Sequence, residues 1–307
     1  MPKQPLAEVF GFPIDINSPE AERYRKNRLC PFNNKVPNCT KDSVTDPLGV
    51  CSLYDGDRPA IICPVRLREG WLIAEQAAEF FFPEGTHWTT LVEVRLNDKY
   101  GKSAGNIDVV VVAYNGDGQV IDFGALEVQA VYISGNLRKS FFKPYMDDPT
   151  AYLATDWTKS RKKEPRPDYL SSSRKRLAPQ LIYKGGILKT WGRKQAVAVH
   201  SAFYATLPEL PEVSREEADI AWLIYDLVHN EALNRYVLTP ARTVYTQFKP
   251  SLDKITLSEP GPMEGFLANL QTKLDAKLEG ATDAQLADVP PDVPADETDL
   301  IDQLENL

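Results

Sequence analysis

The sequence predicts an α/β protein in which a mixed β-sheet is flanked by helices. Three observations support this fold class. Apolar runs such as residues 107–113 and 196–199 have the composition of strands, the polar turn at 115–118 separates two of them, and other runs have the 3.6-residue period of helices. Apolar residues make up 43% and charged residues 25% of the chain, as in a globular protein that buries a core.

The length of 307 residues suffices for one large domain or two moderate ones. We predict three segments: an N-terminal arm with a cysteine-containing segment over 1–68, a core over 69–258, and an acidic helical tail over 259–307. No apolar run approaches the length of a membrane span, and the first ten residues lack the pattern of a signal peptide. We therefore expect a cytoplasmic protein with no membrane partner.

Most elements are predicted from one local signal each: caps and apolar faces for helices, alternation or continuous apolar runs for strands. In chain order they are a short helix after Ser18, a helix over 67–85, a strand over 87–96, two strands over 105–135, a polar basic loop over 156–176 and a buried strand over 196–207.

The clearest predicted helix is SREEADIAWLIYDLVHN, residues 214–230. Ser214 and Glu217 have the spacing of a capping box, and the apolar residues that follow recur at helical spacing. Beyond it we predict one or two strands over 236–248, broken at Pro240. The remaining predicted elements are a helix over 265–278 and a final short helix over 299–307.

The net charge of −8 conceals two opposite local charges. Residues 159–194 contain twelve lysines and arginines against two acids, whereas residues 259–307 contain twelve acids against two lysines. A basic segment in an acidic chain can still bind a polyanion such as DNA. The alternative is a solvated loop rich in lysine.

All four cysteines, Cys30, Cys39, Cys51 and Cys63, fall within 34 residues, separated by 8, 11 and 11 residues. Four thiolates suit a tetrahedral structural site for iron or zinc, and a metal would supply folding energy to a segment with few large apolar residues. No C-x₂-C pair is present, so two disulfides or unrelated thiols stay open as alternatives. The spacing does not distinguish iron from zinc.

Three polar residues, Asp108, Glu127 and Gln129, interrupt the two valine-rich strands on either side of the NGDG turn. An even-numbered hairpin loop makes facing residue numbers sum to an odd number, which puts all three on one face. With Asp117-Gly118 as the turn, the β-carbons of Asp108 and Glu127 lie roughly 5 Å apart. With Asn115-Gly116 as the turn, Glu127 is displaced by roughly 13 Å along the strand.

Two carboxylates so close repel each other, and a divalent cation between them removes that cost. Oxygen ligands of this kind suit Mg²⁺, which can activate a water against a phosphodiester. The pattern D-x₁₈-E-x-Q therefore indicates the catalytic motif of a PD-(D/E)xK nuclease, with Gln129 in place of the usual lysine. The alternative is a sheet edge with polar side chains facing solvent.

Three blocks of this sequence resemble the NotI family of type II restriction endonucleases. They are the four-cysteine segment at 30–63, GNIDVVVV with ALEVQAVYISGN at 105–137, and EADIAWLIYDL with NRYVLTPARTVYTQF at 216–248. The acidic tail is not covered. The resemblance implies a homodimer that cuts double-stranded DNA at GC-rich palindromes, with a PD-(D/E)xK restriction-endonuclease-like core and a Cys₄ site that holds iron.

By motif match, the resemblance implies that Asp108 and Glu127 bind the catalytic Mg²⁺ and that Gln129 is the neutral third member of the site. Such a core usually has a further acidic residue on the preceding strand or helix. Glu93 is the preferred candidate and Glu79 the second. The cysteine spacing of the family can differ from the spacing here, which leaves the loop geometry of the metal site open.

Gln129 cannot act as a base near neutral pH and lacks the charge of a lysine. More of the charge neutralisation must then fall to the metal, or to Arg138 and Lys139, which otherwise position phosphates or begin a helix. Two rival functions stay open: another PD-(D/E)xK nuclease, non-specific or of the repair type, and a non-catalytic, metal-stabilised DNA-binding protein. With three histidines and every cysteine in one cluster, a serine- or cysteine-based hydrolase is disfavoured.

Overall fold

The computed structural model describes residues 3–33, 36–159, 165–257 and 260–280. The chain divides into two compact units, residues 1–257 and residues 258–307. The first contains the sheets described below. The described part of the second contains one helix, Met263–Gly280.

The described strands, in chain order, are β1 Leu6–Val9, β2 Phe12–Pro13, β3 Val50–Asp55, β4 Arg58–Ile61, β5 Trp88–Asn97, β6 Ser103–Tyr114, β7 Val120–Gln129, β8 Tyr132–Ser134, β9 Arg166–Asp168, β10 Gln195–His200, β11 Ile220–Asn230 and β12 Arg235–Thr246. The described α-helices are α1 Pro19–Lys26, α2 Leu72–Phe81, α3 Lys143–Asp147, α4 Pro149–Ala154, α5 Tyr169–Ser171, α6 Ala178–Gln180, α7 Gly186–Thr190, α8 Ser201–Tyr204, α9 Phe248–Thr256 and α10 Met263–Gly280. Tighter 3₁₀ turns cover Pro64–Trp71 and Trp157–Lys159, and wider π-helical turns cover Arg138–Phe142, Ser172–Leu177 and Leu181–Gly185.

The main sheet has six strands in the order β12-β11-β10-β7-β6-β5. Strand β10 runs parallel to both of its neighbours, β7 and β11, while the other pairs are antiparallel. The prediction of an α/β protein with a large mixed sheet flanked by helices is thus confirmed. A four-stranded sheet, β2-β1-β3-β4, and a two-stranded sheet, β8-β9, accompany it.

Two helical layers cover opposite faces of the antiparallel part of this sheet. Helix α2 buries its alanines against the face that carries Val109 and Val111. Leu188, on α7, packs against Val110 and Val112 on the other face. Alternate residues of β6 therefore lie in two different apolar clusters. The apolar surface buried in each cluster stabilises the fold by roughly 25 cal/mol per Å² removed from water.

The helix predicted over 214–230 is wrong, because residues 220–230 form strand β11. The capping-box contacts do form: Ser214 Oγ bonds Glu217 Oε2 at 2.9 Å and accepts from the Glu217 backbone N–H at 3.4 Å. Only a turn follows them, however. Strand β11 lies between β10 and β12 with most of its residues buried on both faces. A strand of that kind is apolar throughout and has no alternation to distinguish it from a buried helix.

The loop predicted over 156–176 is also wrong for its second half. Residues 169–190 form one continuous right-handed helix, assembled from α5, α6, α7 and the two π-helical turns between them. We call it the basic helix. Serines 171–173 and Pro179 favour loops, which is why the sequence pattern did not indicate a helix. Residues 160–164 of the basic segment lie outside the described residues.

Several smaller predictions can be compared with the structure. Ser18 caps α1 by accepting from the Ala21 N–H at 3.1 Å. The predicted strand over 196–207 ends at His200, where α8 follows. Strand β12 is unbroken, although the pairing shifts at Pro240. Strands β3 and β4, within the cysteine segment, were not predicted. The helix predicted over 299–307 lies outside the described residues.

Among the helices that the structure describes, none is long and apolar enough to cross a membrane.

Candidate active site

The hairpin of β6 and β7 determines which polar residues meet. Val109 pairs with Leu126, so Asp108 lies across from Glu127, in the register predicted for a turn at Asp117-Gly118. The loop itself is longer than two residues. Asn115 closes it, because its side-chain oxygen accepts from the backbone N–H of Asp117 at 3.1 Å and of Gln119 at 2.9 Å.

The regular ladder between the two strands stops at Val109 and Leu126. Beyond that point the Asp108 carboxylate replaces a backbone acceptor: its Oδ2 accepts from the Val128 N–H at 2.8 Å. This contact holds the Asp108 side chain beside β7, next to Glu127. Burial, and secondly the charge of Asp108, raise the pKa of Glu127 to about 7, although Lys184 opposes the shift.

The two oxygens of Glu127 have different surroundings. Oε2 accepts from the Lys184 Nζ at 2.6 Å, and the same ammonium donates to the Asn106 carbonyl at 2.8 Å. Oε1 is buried and accepts from no donor among the described residues, and the side chain of Asp108 is in close contact with the Glu127 carboxyl. A carboxylate oxygen in this situation is a vacant acceptor, which is uncommon in a protein interior.

Asp108 and Gln129 line a cavity of about 950 Å³, and Glu93 of strand β5 lines it too. The pairs Val92–Val109 and Val94–Ile107 bracket Glu93 and put it across from Asp108. Glu93 is exposed and has a positive φ of 55°. A glutamate rarely adopts this backbone conformation, and the ladder between β5 and β6 skips the pair Glu93–Asp108 at this point.

The other two sequence candidates have different positions. Gln129 is buried, and its Nε2 donates to the Ala130 carbonyl at 2.8 Å. Glu79 is exposed on α2 and lines a separate hollow, where its carbonyl accepts from Arg215. The structure thus brings Asp108, Glu127, Gln129 and Glu93 to one end of the β5-β6-β7 sheet, and it does not bring Glu79 there.

Basic side chains surround the same cavity, and these five line it: Lys41, Arg68, Arg138, Lys175 and Arg176. Arg138 was a candidate for charge neutralisation, but its guanidinium pairs with Asp42 at 2.7 Å and Asp46 at 2.8 Å. Lys139 is exposed and does not line the cavity. The Nε of Arg68 has no hydrogen-bond partner among the described residues. Lys175 and Arg176 project from the first π-helical turn of the basic helix.

The four cysteines line one small cavity of about 10 Å³, and all of them are free thiols. Cys30 and Cys39 come from paired loop strands, where the Cys30 N–H donates to Pro37 at 2.7 Å and the Cys39 N–H to Arg28 at 2.9 Å. Cys51 lies on β3, and Cys63 lies two residues beyond the end of β4. Burial raises the pKa of the Cys30 thiol to about 11, and burial also raises the pKa values of Cys39 and Cys51.

No three histidine, cysteine, aspartate or glutamate side chains within the described ranges converge as the ligands of one metal ion. The chemistry of the donors nevertheless fits two kinds of metal. The vacant Oε1 of Glu127 and the neighbouring Asp108 are hard oxygen donors, suited to Mg²⁺. Four thiols around one cavity are soft donors, suited to zinc or iron.

Sequence reasoning missed Lys184 as a neighbour of Glu127. It counted this lysine only as one charge of the basic segment, because spacing along the chain gives no sign that a helix returns to strand β7. The only available signal was the uncharged residue at position 129 in a motif that usually has lysine there.

Comparison with known proteins identifies the family of the chain. The model of a family described as restriction endonuclease NotI matches residues 8–238, from strand β1 into strand β12. The match includes all four cysteines and every candidate residue of the cavity. No curated protein matches the chain. The chain belongs to the restriction endonuclease NotI family, and it is therefore a type II site-specific deoxyribonuclease that acts on double-stranded DNA.

Proposed function

We propose that this endonuclease is a Mg²⁺-dependent, cytoplasmic homodimer with a PD-(D/E)xK core that hydrolyses DNA at a GC-rich palindrome. One observation carries the proposal of a metal-dependent site. Asp108 and Glu127 face each other where the β6–β7 ladder ends, and the buried Oε1 of Glu127 has no partner among the described residues. The family membership supports the dimer and the GC-rich site.

Asp108 and Glu127 would hold the metal, with Glu93 as the additional acid across from Asp108. When bound, Mg²⁺ would supply an activated water and neutralise charge on the scissile phosphate. Asp108 keeps one oxygen on the Val128 N–H, which fixes the carboxylate in place. Gln129 adds no charge; its buried amide fixes the end of β7 by its bond to Ala130.

The cavity of about 950 Å³ would receive the DNA backbone at its rim. Lys175 and Arg176 extend from the basic helix at this rim, and the guanidinium of Arg68 has an unused donor. Such groups contact phosphates and set the register of the protein on DNA. Guanine would be recognised in the major groove by arginine or lysine, and we assign no residue to that role.

Incubation of plasmid and phage DNA with the purified protein tests this proposal. Discrete bands in Mg²⁺ and intact DNA in EDTA are expected. A smear in place of bands would indicate a non-specific nuclease, and intact DNA at every Mg²⁺ concentration would indicate a binding protein without catalysis. Size-exclusion chromatography with light scattering should give twice the mass of one chain.

We further propose that the four cysteines bind one structural iron or zinc ion per chain. All four line one buried cavity, where burial disfavours thiolates in the absence of a metal. Binding would convert the thiols to thiolates and add folding energy to this segment. Elemental analysis of protein purified without added metal should find close to one equivalent. Less than a tenth of an equivalent in folded protein would contradict the proposal.

Substitutions in the cysteine segment refine the test. Cys51→Ser should release the metal and lower the melting temperature, because a closed structural site contributes folding energy outright. Ser52→Ala, one position along the same strand, would serve as a poor control, since Ser52 bonds Glu8. Ser43→Ala, at an exposed turn of the same segment, is the better control and should keep the metal.

A further inference from the structure

The PD-(D/E)xK motif usually has a lysine two residues after its glutamate, and strand β7 has no lysine at that position. Position 129 is a glutamine, and its amide is bonded to the Ala130 carbonyl at 2.8 Å. A metal-held phosphate with an attacking water develops negative charge during hydrolysis, and a nearby donor or cation stabilises it. Strand β7 supplies no such cation beside Glu127.

The basic helix supplies one. Its second π-helical turn, Leu181–Gly185, carries Lys184, whose side chain is 5% exposed and whose Nζ lies 2.6 Å from Glu127 Oε2. The same ammonium donates to the Asn106 carbonyl of β6 at 2.8 Å. Lys184 therefore bridges the two strands that bear the candidate carboxylates.

Glycines lie on both sides of this contact. Gly105, beside the Lys184 side chain, has a φ of +106°, a backbone conformation that favours glycine. Gly185 packs so tightly that a β-carbon would lie 2.6 Å from the ring of Phe248. The π-helical turn changes the direction in which the helix presents its side chains, and π-turns of this kind recur at functional sites.

A buried lysine beside a buried glutamate could have a purely structural purpose. In that case the pair would be closed, as it is for Glu8, whose two oxygens are both occupied by Arg66 and Ser52. At Glu127 only Oε2 is occupied, and Oε1 is left without a partner among the described residues. Lys184 thus fixes the carboxylate while leaving one oxygen for another ligand.

We propose that Lys184 is a positioning residue for catalysis: it supplies, from the basic helix, the ammonium that the strand lacks at Gln129, and it directs the free oxygen of Glu127 toward the metal. This inference rests on the proposed Mg²⁺ site. It makes the centre a composite, in which two carboxylates come from a hairpin and the cation comes from a helix that follows it in the chain.

Exchange of the lysine between the two positions tests the proposal. Lys184→Gln should lower the single-turnover rate in Mg²⁺ roughly 100-fold or more, since the buried charge that holds the Glu127 carboxylate at the proposed metal site is lost. DNA binding in Ca²⁺, measured on a fragment that wild-type protein cuts, should change by less than threefold. Adding Gln129→Lys to Lys184→Gln should restore the rate at least tenfold. Lys249→Gln, an exposed lysine on α9, is the matched control and should leave the rate unchanged.

A second readout does not depend on cleavage. Without Lys184, Asp108 and Glu127 repel each other unless a divalent cation replaces its charge. Ca²⁺ without DNA should therefore raise the melting temperature of Lys184→Gln more than that of wild-type protein. If Lys184→Gln does not fold in EDTA, Lys184→Met is to be measured, because it keeps the length of the side chain without its hydrogen-bonding demand.

Lys184→Gln protein that cuts within threefold of the wild-type rate would overturn the proposal. If Gln129→Lys does not recover the cleavage rate lost in Lys184→Gln, Lys184 serves only the folding of the site. That result would also overturn the proposal. If the proposed metal site itself is wrong, the result is different, because Glu127→Gln would then cut at the wild-type rate. If Glu127→Gln is inactive while Lys184→Gln is normal, only the role of Lys184 is wrong.

Discussion

Among the described residues, two glutamates are buried beside a basic side chain, Glu8 in the four-stranded sheet and Glu127 in the six-stranded sheet. Glu8 accepts from Arg66 at 3.1 Å and from Ser52 at 2.7 Å. Arg66 in turn donates to Glu69 at 2.7 Å and to the Tyr236 carbonyl at 3.0 Å. Burial alone would lower the pKa of Arg66, but the charges of Glu8 and Glu69 outweigh burial and raise this pKa above its ordinary value.

Glu127 differs in what is left unpaired. Its partner Lys184 is a single point charge that occupies Oε2, and Oε1 has no partner among the described residues. The planar guanidinium of Arg66 and its neighbours close the first pair completely, whereas an ammonium leaves the second open. The first pair fixes one packing, and the second leaves an oxygen for the metal that we propose.

The largest expected effect on cleavage comes from removing the charge of Glu127 or of its neighbour Asp108. Glu127→Gln and Asp108→Asn should each lower cleavage in Mg²⁺ on the order of 10³-fold or more, because each removes a proposed ligand of the metal. Gel-shift binding in Ca²⁺ should survive, since the proposed phosphate contacts are made by basic residues elsewhere on the cavity rim. Glu75→Gln, exposed on α2, is the control. Near-normal cleavage by Glu127→Gln would overturn the assignment of the site.

The same substitution at the closed pair should affect folding. Glu8→Gln leaves the buried Arg66 without its carboxylate, which costs about 3–5 kcal/mol of unfolding free energy for a broken buried pair. Urea denaturation of Glu8→Gln and Glu127→Gln side by side measures the difference. We expect the molecules of Glu8→Gln that are folded to cut at the wild-type rate. A larger loss of stability in Glu127→Gln would break the comparison.

A smaller effect is expected at the neutral member of the site. Gln129→Ala removes the bond to Ala130 but no charge and no metal ligand, so the single-turnover rate should fall by about tenfold, less than in either carboxylate variant. A rate as low as that of Glu127→Gln would show that Gln129 has a direct chemical role. Gln119→Ala, exposed at the hairpin loop, controls for changes in the fold of the β6–β7 pair.

The smallest effect is expected on the cavity rim. Lys175→Gln should weaken binding to all DNA sequences alike and reduce the slope of log affinity against log salt by about one. Titrations at several salt concentrations, on cut and uncut sequences, provide the measurement. An unchanged slope for both Lys175→Gln and Arg176→Gln would remove the rim from the DNA interface.

The shared face of Asp108 and Glu127 was predictable from the sequence, because the two-residue period of strands is a local rule. Their register was not, since two turns were possible; the observed pairing agrees with the turn at Asp117-Gly118, although the loop is longer than two residues. Strand β11 was mistaken for a helix, since a strand with neighbours on both edges and buried faces has the composition of a buried helix. Its correct identity depends on β10 and β12, which are tertiary partners.

The basic helix was mispredicted for a related reason. Its serines and Pro179 have low helix propensity, and its stability comes from packing, for example of Leu177 and Leu181 in the core. Lys184 could not be located from the sequence, because its contact with Glu127 joins residues with a separation of 57 along the chain. The position of the Lys184 ammonium beside β7 depends on the length of the basic helix and on its π-helical turns, and neither can be read from the sequence.

The position of strand β10 late in the sequence has a consequence for when the site can assemble during synthesis. It lies parallel to β7, which bears Glu127, and it is separated from β7 in the sequence by the basic helix. The ribosome therefore releases the hairpin carboxylates well before Lys184 and before the strand that supports them. Closure of such a long loop is slow and entropically costly. A chain whose synthesis stops before residue 184 has the hairpin but lacks Lys184 and strand β10, so the centre proposed here cannot assemble in it.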